Sequence, residues 1–527
     1  MTTTAPAGTK TDRLGMPLVA LITVAAVANL NLAVANVALP DIGAAFVASQ
    51  TALNLIAIGF SLGLAASVLY LGAIGDRYGR KQIMLLGVVL AVPASLVAAY
   101  SPNEWTLAAA RVFGGVAAGM AFPTTLALVT ALWSGNQRTR AIALWSAIGG
   151  GVSALGPLAG GLLLERFWWG SVFLITVPLA VIALILGWFF VPSHVGESTE
   201  PVDNLGGILS VVMVGSLVIA ITFAPTPGAT SLVAILFAVA VVAAVLFFRR
   251  QRQAANPLYD LTYAKRPIFW VAALGGMICF GSLMACMFVG QQYLQNVLGL
   301  PTAQSGAVPL AAAVGMIGVA GLSARLVERR GSRSALLIGF MFVLLAFGIM
   351  LAFWTETASW EVVLLGYFAL GLGIGIAGTP SSHSLTAAVP VAKAGMASAT
   401  ADLQRDLGGA VMQAILGALL TAGYAASFAA LAAGAPQPVS ADTLSQLQKS
   451  FSSAEAMTTQ YPQYSEAITT AAQESFLAGA NWAYAAGMIA VIVGIVLVVW
   501  KFPKRDDERR LLAEYAADDP GRQVSAA

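Results

Sequence analysis

The sequence predicts an all-α membrane protein with fourteen transmembrane helices: two six-helix halves and two inserted helices between them. Three observations predict this. The chain is too apolar and too poor in charge to be soluble. Its apolar runs are continuous and long enough to cross a bilayer. Its basic residues gather between alternate runs.

Of 527 residues, 58% are hydrophobic and 10% charged. Soluble domains carry about 25% charged residues. A hydrocarbon core of about 30 Å needs roughly 20 apolar residues per helix. Lipid offers the backbone no hydrogen bonds, so each span must satisfy its own, as a helix does. A barrel strand would alternate over about 10 residues, and these runs do not alternate. They lie at 17–39, 53–73, 83–101, 105–126, 139–163, 171–191, 205–224, 230–248, 268–290, 305–326, 335–354, 361–384, 396–420 and 478–500, numbered below as spans 1 to 14.

Charge sets the orientation. With the N-terminus inside, all basic residues except Arg111, Arg166, Arg405 and Lys449 fall in cytoplasmic segments, as the positive-inside rule requires. Lys10, Arg13, Lys393 and Arg522 are among them. An even span count then puts both termini in the cytoplasm. The expected location is the cell (inner) membrane.

The expected parts follow in order: a cytoplasmic N-terminus (1–16), a six-helix half (17–191), two inserted helices (205–248), a second half (268–500) and a cytoplasmic tail (501–527) with a loose end. Residues 192–204 form a polar connection with Glu197, Glu200 and Asp203. Residues 421–477 read as a long outer loop, with Ser440 capping a short helical piece. Asp41, after Pro40, reads as a cap at the end of span 1.

An internal repeat joins the halves. Spans 2 and 3 are linked by Gly72-Ala-Ile-Gly-Asp76-Arg77-Tyr-Gly79-Arg80-Lys81. Spans 10 and 11 are linked by a segment in which Glu328, Arg329 and Gly331 recur in the same register as Asp76, Arg77 and Gly79. Both copies fall on the cytoplasmic side, so the repeat is parallel. Spans 7 and 8 have no partner copy.

The first loop resembles the loop signature of the major facilitator superfamily. Further residues resemble its 14-spanning drug:proton antiporter family: Arg111 within Leu107–Thr125, the antiporter-like run Gly151, Gly156, Pro157, Gly160 and Gly161, the end of span 1 at Asn36–Pro40, and Arg405-Asp-Leu-Gly408-Gly409. The resemblance implies a secondary transporter that exports small amphipathic compounds by alternating access, coupled to a proton or another ion, and working as a monomer in the lipid bilayer. It implies that the loop residues govern conformational exchange. The chain departs from the pattern at Asn31, where that family usually has an acid, and at Val152, where it usually has glycine.

Charges inside spans are costly and mark candidate sites. Arg111, Asp402, Arg405 and Asp406 are the candidates for proton coupling. Asp402 and Asp406 share a helix face, and Arg405 is three residues from Asp402. Burial and a neighbouring arginine pull a carboxyl's protonation in opposite directions. The alternative for Arg111 is to hold backbone carbonyls, and for the acids a latch near the inner end of span 13. Asn29, Asn31, Asn36 and Gln413 are candidates for the substrate cavity. Trp145, Trp270 and the phenylalanines of spans 9 to 12 read mostly as lipid-facing or core aromatics, with a few on the pocket wall as the alternative, and His383 reads as a surface residue. Cys279 and Cys286 read as core residues.

No enzyme site, nucleotide-binding loop, cofactor motif, metal spacing or nucleic-acid patch is present in the sequence. One other function stays open: an exporter of an endogenous lipid or metabolite on the same scaffold, with or without proton coupling. A non-transporting receptor or membrane enzyme would call for a soluble catalytic or sensor domain, and the sequence holds none.

Overall fold

The computed structural model describes residues 15–133, 135–193, 200–390, 394–435 and 438–517. Lys10, Arg13, Glu197, Lys393 and Arg522 lie outside them. Among the described residues no strand forms.

Among the described residues, thirteen helices are long and apolar enough to span a membrane. In the first half they are Gly15–Phe46, Gln50–Tyr78, Arg80–Ala99, Glu104–Leu132 and Ser171–Phe190. The fifth span, Gly135–Leu164, contributes the shorter apolar stretch Ile148–Leu164. The inserted pair is Asn204–Phe223 and Thr230–Gln253. The second half has Pro267–Val297, Thr302–Arg330, Ser332–Phe353, Trp360–Ala387, Ala394–Ala433 and Ser465–Lys501.

Span 7 packs against both halves. Val214 and Val218 meet Ile58 and Leu62 of span 2 and Ala410 and Ala414 of span 13 in one apolar cluster. The pair is pinned by buried Asp203, which accepts from the backbone N–H of Gly206, Arg250 Nε at 2.9 Å and Gln251 Nε2 at 3.1 Å. Span 8 is the most apolar span and the least buried, as suits a helix facing lipid.

The two linking loops repeat in backbone as well as in sequence. Gly79 has φ 117° and Gly331 φ 84°, a region that a Cβ disfavours. Asp76 reaches over the first turn to Arg80 Nε at 2.7 Å, and Lys81 Nζ donates to the carbonyl of Trp188 at the end of span 6.

Three boundaries differ from the sequence reading. Pro40 does not end span 1, which runs on to Phe46, so Asp41 lies within the helix and is not its cap. Proline costs one hydrogen bond, and packed neighbours tolerate that in a membrane helix. The expected outer loop of 421–477 is mostly helix. Span 13 continues through an Ala-rich segment to Ala433, and span 14 begins at Ser465. Alanine's helix propensity carries the chain out until Gly434. The described residues of what remains, 434–464, hold two short α-helices, Ala441–Leu447 and Phe451–Gln460, the first capped by Ser440, and a 3-10 turn, Pro462–Tyr464. The tail forms a helix, Arg505–Ala517; its last residues lie outside the described ones. Below, the hairpin side is the one holding 434–464, and the motif side holds the Gly79 and Gly331 loops.

Candidate functional site

A cavity of about 250 Å³ lies between the halves at mid-depth. Spans 1, 4 and 5 form one wall, and spans 9, 10, 12 and 13 the other. Its surface is mainly apolar, with Phe122, Trp145 and Phe280 as the aromatic residues and Met284, Met287 and Met316 as the thioethers. Trp145 thus lies on the cavity wall, where the sequence reading favoured a lipid-facing or core place. Its indole N–H donates to Thr125 Oγ1 at 3.1 Å, and its ring sits 5.4 Å from that of Phe122. A Trp on an apolar helix carries no signal for this; only the packing of span 5 against span 4 turns it inward.

Of the sequence-derived cavity candidates, Asn29 and Asn36 line the cavity, and Asn31 and Gln413 do not. Asn29 and Asn36 are two turns apart on span 1, so they share a face. Asn31 points away and donates to Val27 O within its own helix. Gln413 is buried, and its Nε2 has no partner among the described residues.

The four intramembrane charges divide into two places. Arg111 is 2% exposed and does not line the cavity. Its Nη1 donates to the backbone carbonyl of Asn31 at 2.8 Å, and its Nε to that of Ile56. Its guanidinium sits 5.0 Å from the Phe60 ring and 5.6 Å from the Phe173 ring. It ties spans 1, 2, 4 and 6 together, the structural role the sequence left open. Each cation–π contact contributes about 0.5–2 kcal/mol.

Arg405 does line the cavity. It pairs with Asp406, Nε to Oδ1 at 3.2 Å, rather than with Asp402 as helix spacing suggests. The long arginine side chain folds back to its neighbour and lays its guanidinium 4.8 Å from the Phe122 ring. Asp406 is buried behind it, and its Oδ2 has no partner among the described residues. Asp402 is buried one turn nearer the motif side. His383 is exposed.

The antiporter-like residues close helix contacts. A Cβ at Gly156 would come within 2.6 Å of the Ala33 Cβ, and one at Gly161 would collide with Thr302 O in the other half. Around Gly151 there is open space. In the second loop copy, Glu328 and Arg329 are exposed. The carboxylate at that turn comes instead from the tail: buried Glu508 accepts from the backbone N–H of Ser332 at 3.1 Å.

On the hairpin side the halves are joined by hydrogen bonds. Gln50 Nε2 donates to Gln292 Oε1 at 3.0 Å, Asn54 Nδ2 to Thr421 Oγ1 at 3.1 Å and Gln295 Nε2 to Val37 O at 2.8 Å. The hairpin adds Lys449 to Val47 O and Ser450 to Ala48 O.

This helical scaffold, paired loops and central cavity can be set beside known proteins. The family model of the Major Facilitator Superfamily matches residues 21–413. The chain belongs to the major facilitator superfamily.

Among its relatives is the multidrug efflux pump LfrA of Mycolicibacterium smegmatis, 35% identical over 73% of this chain and 77% of that one. The multidrug resistance protein Stp of Mycobacterium tuberculosis is 32% identical over 79% and 78%. The methyl viologen resistance protein SmvA of Salmonella typhimurium is 32% identical over 78% and 83%. These relatives agree with the drug-antiporter resemblance of the motifs. A solved bacterial homolog of the human lysosomal transporter Spinster, inward-facing and unoccupied, shares the fold with TM-score 0.64 and 15% identity, over 97% of this chain and 99% of that one. This member of the superfamily is a multi-pass membrane transporter rather than an enzyme.

Proposed function

We propose that this protein exports small amphipathic compounds across the cell membrane by alternating access, driven by protons, as a monomer with both termini and the motif side in the cytoplasm. The observation that carries the reading is the Arg405–Asp406 pair. Arg405 stands on the wall of the cavity between the halves, and Asp406 lies buried behind it. An uncompensated charge at that depth is expensive, and Asp406 leaves one carboxylate oxygen buried without a partner among the described residues. A proton held at Oδ2 turns that orphan acceptor into a hydroxyl. The hydrogen bonds on the hairpin side support a state closed to the outside. The names of the relatives support drug-type substrates.

The test is transport in proteoliposomes with an imposed pH gradient and a panel of amphipathic compounds. Uphill movement that collapses with the gradient supports the reading. Asn31, in place of the family's acid, favours a second one: export of an endogenous metabolite or lipid without proton coupling. Transport indifferent to the gradient would select it. A cysteine introduced at exposed Arg329 tests the orientation: labelling by an impermeant reagent in intact cells would reverse it. Ser332, in the same loop, is unsuitable because it is fully buried.

A further inference from the structure

We propose that the cavity selects uncharged aromatic compounds bearing carbonyl or ether oxygens, and turns away permanent cations. The inference rests on the reading of this cavity as the transport site, and it names the ligand class.

The charge of the wall decides first. Arg405 is the one ionisable residue on the wall among the described residues, and no acid stands there to meet a cation. A permanent cation would give up its hydration in a largely apolar cavity that offers it no carboxylate in return, since the wall presents only a guanidinium already balanced by Asp406. An anion fares little better. Asp406, 3.2 Å away, already balances Arg405, so a bound carboxylate would leave a net negative charge in a low-dielectric site, with Asp402 buried nearby. An uncharged ligand needs no counter-charge.

Hydrogen bonding decides next. Arg405 uses Nε for Asp406, and its two terminal nitrogens make no hydrogen bond with described residues. The same holds for the side-chain amides of Asn29 and Asn36, which face the cavity from span 1. The wall therefore offers donors without internal partners, which a ligand oxygen satisfies and a hydrocarbon does not.

Shape decides last. Phe122, Trp145 and Phe280 offer flat faces, and Met284, Met287 and Met316 offer polarizable, adaptable contact to aromatic rings. A volume of about 250 Å³ accommodates a small fused-ring compound.

The test compares bicyclic probes of similar size by equilibrium dialysis against the purified protein in lipid nanodiscs. Coumarin is uncharged with acceptor oxygens, naphthalene has none, N-methylquinolinium is a permanent cation and naphthoate is an anion. Coumarin should bind tightest, and naphthalene about tenfold weaker for the lost hydrogen bonds to a charged donor. N-methylquinolinium should bind more weakly still. Arg405→Met should reduce coumarin to the naphthalene level and leave naphthalene unchanged. Asn36→Leu should act in the same direction and serves where Arg405→Met does not fold. The inference is overturned if N-methylquinolinium or naphthoate binds as tightly as coumarin, if coumarin does not bind, or if folded Arg405→Met or Asn36→Leu keeps full coumarin affinity. Gradient-driven uptake of N-methylquinolinium by the same protein would sink this inference and leave the transport reading standing. Absence of gradient-driven movement of every probe would count against that reading's proton coupling, whatever the dialysis shows.

Discussion

Lys449 of the second half donates from Nζ to the backbone carbonyl of Val47 in the first, at 2.8 Å. Val47 carries φ 47° and is the only non-glycine residue with positive φ among those described. A β-branched residue is a true outlier there, held at a cost of order 1–3 kcal/mol. Around it, the backbone N–H of Gln50 donates to Lys449 O, and Ser450 Oγ to Ala48 O at 2.7 Å. The hairpin of one half thus clamps a strained turn of the other.

The clamp should set how readily the hairpin side opens. Val47→Gly removes the strain and should slow turnover while raising thermal stability by about 1 kcal/mol. Lys449→Ala should do the reverse. Thermal unfolding in detergent, with transport rates beside it, checks both. A less stable Val47→Gly protein would show that the turn is not strained in the way described.

Asp76 is paired with Arg80 across the first linking turn. Asp76→Ala should lower the maximal transport rate more than the apparent affinity, because the pair holds a loop between moving helices and lies far from the cavity. Normal rates with weakened binding would contradict this.

Asp406→Asn should abolish pH-gradient-driven transport and retain exchange of substrate for substrate. The amide keeps the size and an acceptor for Arg405 and cannot carry a proton. Asp402→Asn should have a weaker effect, since Asp402 makes no pair with Arg405. Full uphill transport by Asp406→Asn would make the carboxylate structural.

Glu508→Ala should lower stability by about 1–2 kcal/mol, the usual loss for a buried helix cap. It leaves the N–H of Ser332 unpaired and frees the tail helix, whose Arg505 also donates to Glu328 O and whose Tyr515 ring lies 3.9 Å from the Arg266 guanidinium. An unchanged melting temperature would show that the tail helix adds nothing to the second loop.

Much of the fold could be read without coordinates. Span number follows from apolar runs, because bilayer thickness sets a helix length. The loop glycines follow from the repeat, and both copies do turn at positive φ. Span ends were less legible. Pro40 and the Ala-rich stretch after 420 are ambiguous until neighbours show whether the helix has something to pack against. For the cavity, sequence supplied Asn29, Asn36 and Arg405 but not Trp145 or the methionines, which look like any core residues.

The sequence by itself determined that this chain crosses the membrane many times, that its linking loops repeat, and which few charges lie within the spans. Those properties depend on composition and on spacing along one chain. Only the tertiary structure decided that Arg111 holds carbonyls while Arg405 faces the cavity, and that Arg405 turns to Asp406 rather than Asp402. It also decided that Glu508 caps a helix more than a hundred residues away. The physical reason is that a buried charge takes whichever partner helix packing brings within hydrogen-bond reach, and sequence distance does not measure that reach.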